Sequence, residues 1–171
     1  MSSMMMRTLV LALVLASTSN MVAARDTLQI ISDHNEVRLG YRSSSVPFSV
    51  LGQDGKPHGY SIDLCSVIVK QIKDHLGRPD LQVTWVPVTA DNRIANVRYG
   101  HVHIECGSTT NTISRQSLVD FSYPIYITGT RMLVRAGEDL NWFKDLDGKV
   151  IALVEGTTTE KTVNKAIAAG G

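Results

Sequence analysis

The sequence has no surplus charge of either sign. Its 17 Lys+Arg stand against 16 Asp+Glu, a formal net charge of +1. A concentrated basic face, on which nucleic-acid or anionic-membrane binding relies, is therefore not expected. Long apolar runs are also missing: Leu9 to Ala16 is far shorter than the roughly 18 to 20 residues that span a bilayer. That argues against a permanent membrane anchor. No Walker loop, dinucleotide glycine fingerprint or Gly-x-Ser-x-Gly elbow occurs, and there is no internal repeat, low-complexity tract or long linker. Cysteine is scarce, with Cys65 and Cys106 alone. Their neighbours read as a helix and a strand end that spacing cannot bring together, so two buried thiols are expected, with a bridge as the alternative.

What is present begins with an export pattern. Arg7 precedes the Leu9 to Ala16 run, and Val22-Ala23-Ala24 offers a cleavage site after Ala24, so residues 1–24 read as a signal peptide. No cysteine follows it to accept a lipid, and a soluble, exported, periplasmic product is expected. Removing residues 1–24 leaves 16 bases and 16 acids.

The remainder alternates extended and helical patterns, an α/β signature with a largely parallel sheet. Residues 36–41 alternate (Val37, Leu39, Tyr41) and predict a strand ending at Arg42; 47–51 is a short extended piece, with a turn at Gly55. From Asp63, the stripe Leu64, Val67, Ile68, Ile72 and Leu76 predicts a helix capped by Ser61 or Asp63 and closed by Gly77. Strands are expected at 81–86, 102–105 and 149–154, with β-rich stretches over 121–134, and helices at 92–99, 114–119 and 160–169. Gly129 between Thr128 and Thr130 is either a crossing between two lobes or a simple bulge.

Three polar loops follow these strands, where open α/β sheets place ligands. Residues 106–111 carry Ser108 and Thr110, with Arg115 just beyond. Guanidinium matches a carboxylate with two parallel hydrogen bonds, so this is a chemically sensible anion site, though a capped helix with a solvated arginine explains it equally. Thr157 with Glu160 has capping-box spacing, which leaves Thr158 as a free hydroxyl. Arg42 and Arg93 add positive charge suited to a second carboxylate. Catalysis is weakly supported: Cys106 with His103 lacks an orienting acid, and nothing fixes the separation of Asp91 and Glu105. His101 and His103 lack a third ligand for a metal, so none is expected, and no cofactor.

The strings Leu39-Gly40-Tyr41-Arg42, Gly59 to Leu64, Asn92-Arg93-Ile94, Glu105 to Asn111, Gly129-Thr130-Arg131 and Gly156-Thr157-Thr158 occur in a familiar order. The chain resembles the extracellular solute-binding proteins of polar amino-acid ABC importers (family 3), above all the glutamate/aspartate binders. The resemblance implies a periplasmic-binding-protein-like type II bilobal fold, with lobe 1 over 36–128 nearly complete and lobe 2 begun over 129–171. It implies a non-enzymatic monomer that closes on an acidic amino acid and delivers it to an inner-membrane ABC permease. Arg115, Ser108 and Thr110 would hold the α-carboxylate and help receive the ammonium, Thr158 would contribute from the other lobe, and Arg42 and Arg93 would face the side-chain carboxylate. Ala90 departs from the pattern, which has serine there. The chain also stops before the family's acidic partner for the ammonium, so weak binding is expected, short of a bond commonly worth about 1.5 to 3 kcal/mol. The alternatives are a fold-sharing cyclohexadienyl dehydratase and a sensor input lobe.

Overall fold

The computed structural model describes residues 26–169; the expected signal peptide lies outside them. Its first element, α1 (Thr27–His34), is a helix absent from the expectations above. The Asp26 side chain accepts from the Leu28 N–H, Asn35 closes the end in the left-handed conformation, and Ile31 is buried. β1 (Glu36–Tyr41) follows as predicted, with Val37 and Leu39 fully buried.

After Arg42 the chain makes a small antiparallel sheet from β2 (Ser44–Ser45), β3 (Ser49–Leu51) and β4 (Pro57–His58) in the order β2-β3-β4. The next helix, α2 (Tyr60–Leu76), starts earlier than the sequence suggests. Neither Ser61 nor Asp63 caps it. Gly59 holds that position at φ 124°, and the Pro47 and Phe48 carbonyls accept from the N–H groups of Tyr60 and Ser61. A Cβ on Gly59 would lie 2.6 Å from the Phe48 oxygen, so only glycine lets the two backbones meet. Gly77 closes the helix as expected. Its packed face is Ile62, Cys65 and Val69, with Ile72 and Leu76 beside them; Val67 and Ile68 point outward. Both faces of this helix carry apolar residues, and periodicity alone cannot choose between them.

β5 (Gln82–Pro87), α3 (Arg93–Arg98), β6 (Ile104–Cys106) and α4 (Ile113–Gln116) complete the ordered layers. β1 lies between β5 and β6 in a parallel sheet, register Leu39 with Trp85 and with Ile104. Burial beneath helices explains why the Val37, Leu39 and Tyr41 face of β1 is apolar, while Glu36 and Arg38 on the other face are only half-buried. Cys65 and Cys106 form a disulfide with Cα atoms 6.2 Å apart, which corrects the expectation of free thiols. α2 lays its packed face across the end of β6, a tertiary juxtaposition that spacing could not supply.

Beyond α4 the chain is extended to a 3-10 turn at Phe143–Leu146, then runs to α5 (Thr158–Ala168). The strands expected over 121–134 and 149–154 are not formed among the described residues. Val150 and Leu133 are fully exposed. Apolar alternation shows compatibility with a sheet, but a strand exists only where a neighbour satisfies its N–H and C=O groups. None of the described strands lies alongside to pair with these. Tyr60 Oη donates to the Ile125 carbonyl, and Phe48 stacks edge-on against both Tyr60 and Tyr126, so the start of this stretch is tied to the first part of the chain. No helix among the described residues is long and apolar enough to cross a membrane.

Candidate functional site

The parallel strands β1, β5 and β6 end on the same side of the sheet, and the polar loops that follow them converge there. Arg42 is the first residue past β1. It is largely buried, and its backbone is clamped by Ser49, whose Oγ accepts from the Arg42 N–H at 2.8 Å and donates to the Arg42 carbonyl at 2.9 Å. Arg93 opens α3 and is only 3% exposed. Its Nε is buried without a hydrogen-bond partner. Burial pushes its pKa down to about 10, with the Arg115 and Arg42 charges acting the same way and Glu105 opposing.

Arg115 comes from α4, whose Thr112 side chain accepts from the Arg115 N–H. Its guanidinium donates to the Thr110 carbonyl at 2.9 Å and to the Gly156 carbonyl at 3.4 Å. Burial lowers its pKa too, against the raising influence of Glu105. Thr110 and Thr158 bring their hydroxyls within 3.2 Å of one another. Thr157, as expected, caps α5 by accepting from the Glu160 N–H, while Glu160 reaches back to the Gly156 N–H. That frees Thr158 to face Thr110. Gly156, at φ 73°, has the Asp91 backbone within 3.1 Å of where a Cβ would stand, so the 155–157 turn fits against the loop before α3.

Ser108 is exposed and shares a 2.7 Å hydrogen bond with Ser45. Five of the six expected residues are thus linked through the arginine cluster or the Thr110 contact, and Ser108 stands on the same loop. Ser45, Ser49 and Ser61, whose Oγ donates to the Gly107 carbonyl at 2.8 Å, support these groups and carried no signal of their own. Glu105 carried one: an acid inside a short strand, between Ile104 and Cys106, with three arginines converging on it. Ala90 is buried and offers no hydroxyl. His103 is engaged elsewhere, with its Nδ1 accepting from the Arg38 N–H at 3.1 Å, and His101 is exposed.

Three guanidinium groups and facing hydroxyls, with few internal acceptors, concentrate positive charge and hydrogen-bond donors at the ends of the parallel strands. The family model of the bacterial extracellular solute-binding proteins, family 3, matches residues 37–169. The chain belongs to this family. Within it, the chain is 43% identical over 143 residues to the glutamate/aspartate import solute-binding protein of Salmonella typhimurium, covering 84% of this chain and 47% of that one. It is 45% identical over 136 residues to the L-glutamate/L-aspartate-binding protein of Pseudomonas aeruginosa, covering 79% and 45%. The chain spans about half the length of the curated relatives it matches. Among solved structures, the ancestral amino acid-binding protein AncCDT-1, a precursor of cyclohexadienyl dehydratase, superposes with a TM-score of 0.71 at 28% identity, covering 82% of this chain and 60% of that one. The fold is the periplasmic-binding-protein-like type II bilobal fold, present here in part.

Proposed function

We propose that this chain belongs to the capture component of an amino-acid ABC importer, working in the periplasm and taking an acidic L-amino acid, glutamate or aspartate. The convergence of Arg42, Arg93 and Arg115 on Glu105 at the ends of the parallel strands carries this reading. A neutral or basic amino acid would bring only one carboxylate to three guanidinium groups whose shared counter-charge is Glu105, and a second carboxylate improves that balance.

In this reading Arg115, Ser108 and Thr110 hold the α-carboxylate and the loop helps receive the ammonium. Arg42 and Arg93 face the side-chain carboxylate. Lobe 1 spans 36–128 and lobe 2 begins at 129, so Thr158 reaches the ligand from the opposite lobe and closure brings the lobes together. The relatives named for glutamate and aspartate support the acidic ligand, and the import role in the Salmonella relative's name supports delivery to an inner-membrane permease.

Calorimetric titration of the full-length protein with L-glutamate, L-aspartate, L-glutamine and L-arginine tests the proposal. Saturable one-to-one binding of the two acids, at least about tenfold tighter than glutamine, is expected. Preference for glutamine or arginine would overturn it. A dehydratase is the second reading, favoured by the fold shared with an ancestral cyclohexadienyl dehydratase. Turnover of prephenate or arogenate by the purified protein would establish that reading instead; saturation without product is expected.

A further inference from the structure

Among the described residues, Glu105 is an acidic side chain on which all three arginines act, and it has no obvious task. It lies in β6 between Ile104 and Cys106, in register with Gly40 of β1. Its Oε1 is buried without a hydrogen-bond partner. The carboxyl folds back under the 106–111 loop, so that a Cβ on Gly107 would stand 2.2 Å from Oε1 and 3.2 Å from Arg42 Cγ. Glu105 makes no ion pair within 4.0 Å among the described residues, yet Arg93, Arg42 and Arg115 all act on its charge. A structural salt bridge would close that gap. A carboxyl held among three cations but bonded to none is arranged as a shared counter-charge.

We propose that Glu105 is a charge-balancing, positioning residue of the site: it shares the three guanidinium groups when no ligand is bound and takes up a fraction of a proton from solvent when a dicarboxylic ligand, which brings a net negative charge, engages them. The inference rests on the acidic-ligand reading above. Its physics is that of two anions competing for one cationic site, where the less well bonded becomes neutral. The ligand can accept bidentate bonds from the arginines, whereas Glu105 Oε1 has none. Burial already holds the Glu105 pKa above its ordinary value, while Thr109 and the charges of Arg93, Arg42 and Arg115 pull it back down. A ligand that occupies those charges removes the opposing pull and adds a like charge, so protonation follows binding. The groups that bear on Glu105 are Arg42 from the end of β1, Arg93 from α3, Arg115 from α4 and Thr109 from its own loop.

Because a fraction of a proton is gained on binding, affinity must rise as pH falls, by up to about tenfold per pH unit for a full proton. The test is calorimetry of L-glutamate binding to the full-length protein, between about pH 7 and about pH 5, in buffers of contrasting ionisation enthalpy. Wild type is expected to take up a proton fraction that grows toward the acid end. Glu105→Gln, nearly isosteric, should bind with no uptake and a flat pH profile. Glu105→Asp keeps the charge and should keep the uptake, which a purely packing role would not predict. Equal uptake in wild type and Glu105→Gln, or normal binding with no uptake in wild type, overturns the inference and leaves the acidic-ligand reading standing. Failure of the folded wild type to bind any dicarboxylic amino acid overturns both.

Discussion

Gly107 and Gly156 border the arginine cluster for different reasons, and alanine separates them. At Gly107 the added methyl would meet the carboxyl end of Glu105, which can swing aside, so Gly107→Ala should cost about 1 to 2 kcal/mol of stability while displacing Glu105. At Gly156 it would meet the Asp91 backbone in a left-handed conformation. Gly156→Ala should therefore cost about 1 to 3 kcal/mol and also loosen the turn that accepts from Arg115. Urea denaturation of both variants checks the costs, and L-glutamate titration checks whether the site is disturbed. His103 gives a pH prediction. Its Nδ1 accepts from the Arg38 N–H, so the ring is neutral when folded, and burial, then the Arg38 charge, lower its pKa from 6.5. The unfolded chain binds the proton more readily, so this contribution is intact above about pH 6.5 and is lost as pH falls toward the lower folded value. Melting temperature should drop on acidification below about pH 6.5, and His103→Asn, which keeps an acceptor but does not titrate there, should flatten that part of the profile. Arginine chemistry was legible from residue type alone. The serines that brace these groups were not, because a hydroxyl takes its role from whatever folds against it.

Elements whose burial is decided by near neighbours in the sequence were readable. β1 and the Gly77 end of α2 follow from alternation and from a left-handed C-cap. Those that depend on distant partners were not. The start of α2 is satisfied by Pro47 and Phe48 carbonyls rather than by Ser61 or Asp63, and its buried face includes Cys65 because Cys106 lies beneath it. Segment 149–154 has the composition of a core strand but no paired neighbour among the described residues. The disulfide fastens α2 to the end of β6, one residue before Gly107, across a sequence separation of 41. Closing a loop of that length restricts the unfolded chain by about 4 kcal/mol. Replacing both cysteines with serine should lower unfolding free energy by about 3 to 4 kcal/mol, read as a lower urea midpoint with a somewhat steeper slope, because the denatured chain without the bridge is more open. An unchanged midpoint would show that α2 holds its place by packing alone.

At the scale of the molecule, the site joins parts of the chain far apart in sequence. Thr110 meets Thr158, Arg115 reaches Gly156, and the 155–157 turn rests against Asp91. Fold class was legible in outline, because strand-loop-helix alternation is a local property, and so was the presence of polar loops after the strands. The meeting of those loops is a property of the whole fold. The account stands on one claim, that three guanidinium groups recognise two carboxylates on one small zwitterion. Its most direct test is the affinity of full-length wild type, Arg42→Ala, Arg93→Ala and Arg115→Ala for L-glutamate and L-glutamine, each variant first shown to be folded by circular dichroism. Removing a charge-assisted bond should cost about 1.5 to 3 kcal/mol, roughly 10-fold to 150-fold. Arg115→Ala should weaken both ligands, and Arg42→Ala and Arg93→Ala should weaken glutamate while narrowing its advantage over glutamine. Unchanged glutamate affinity in all three variants would contradict the claim.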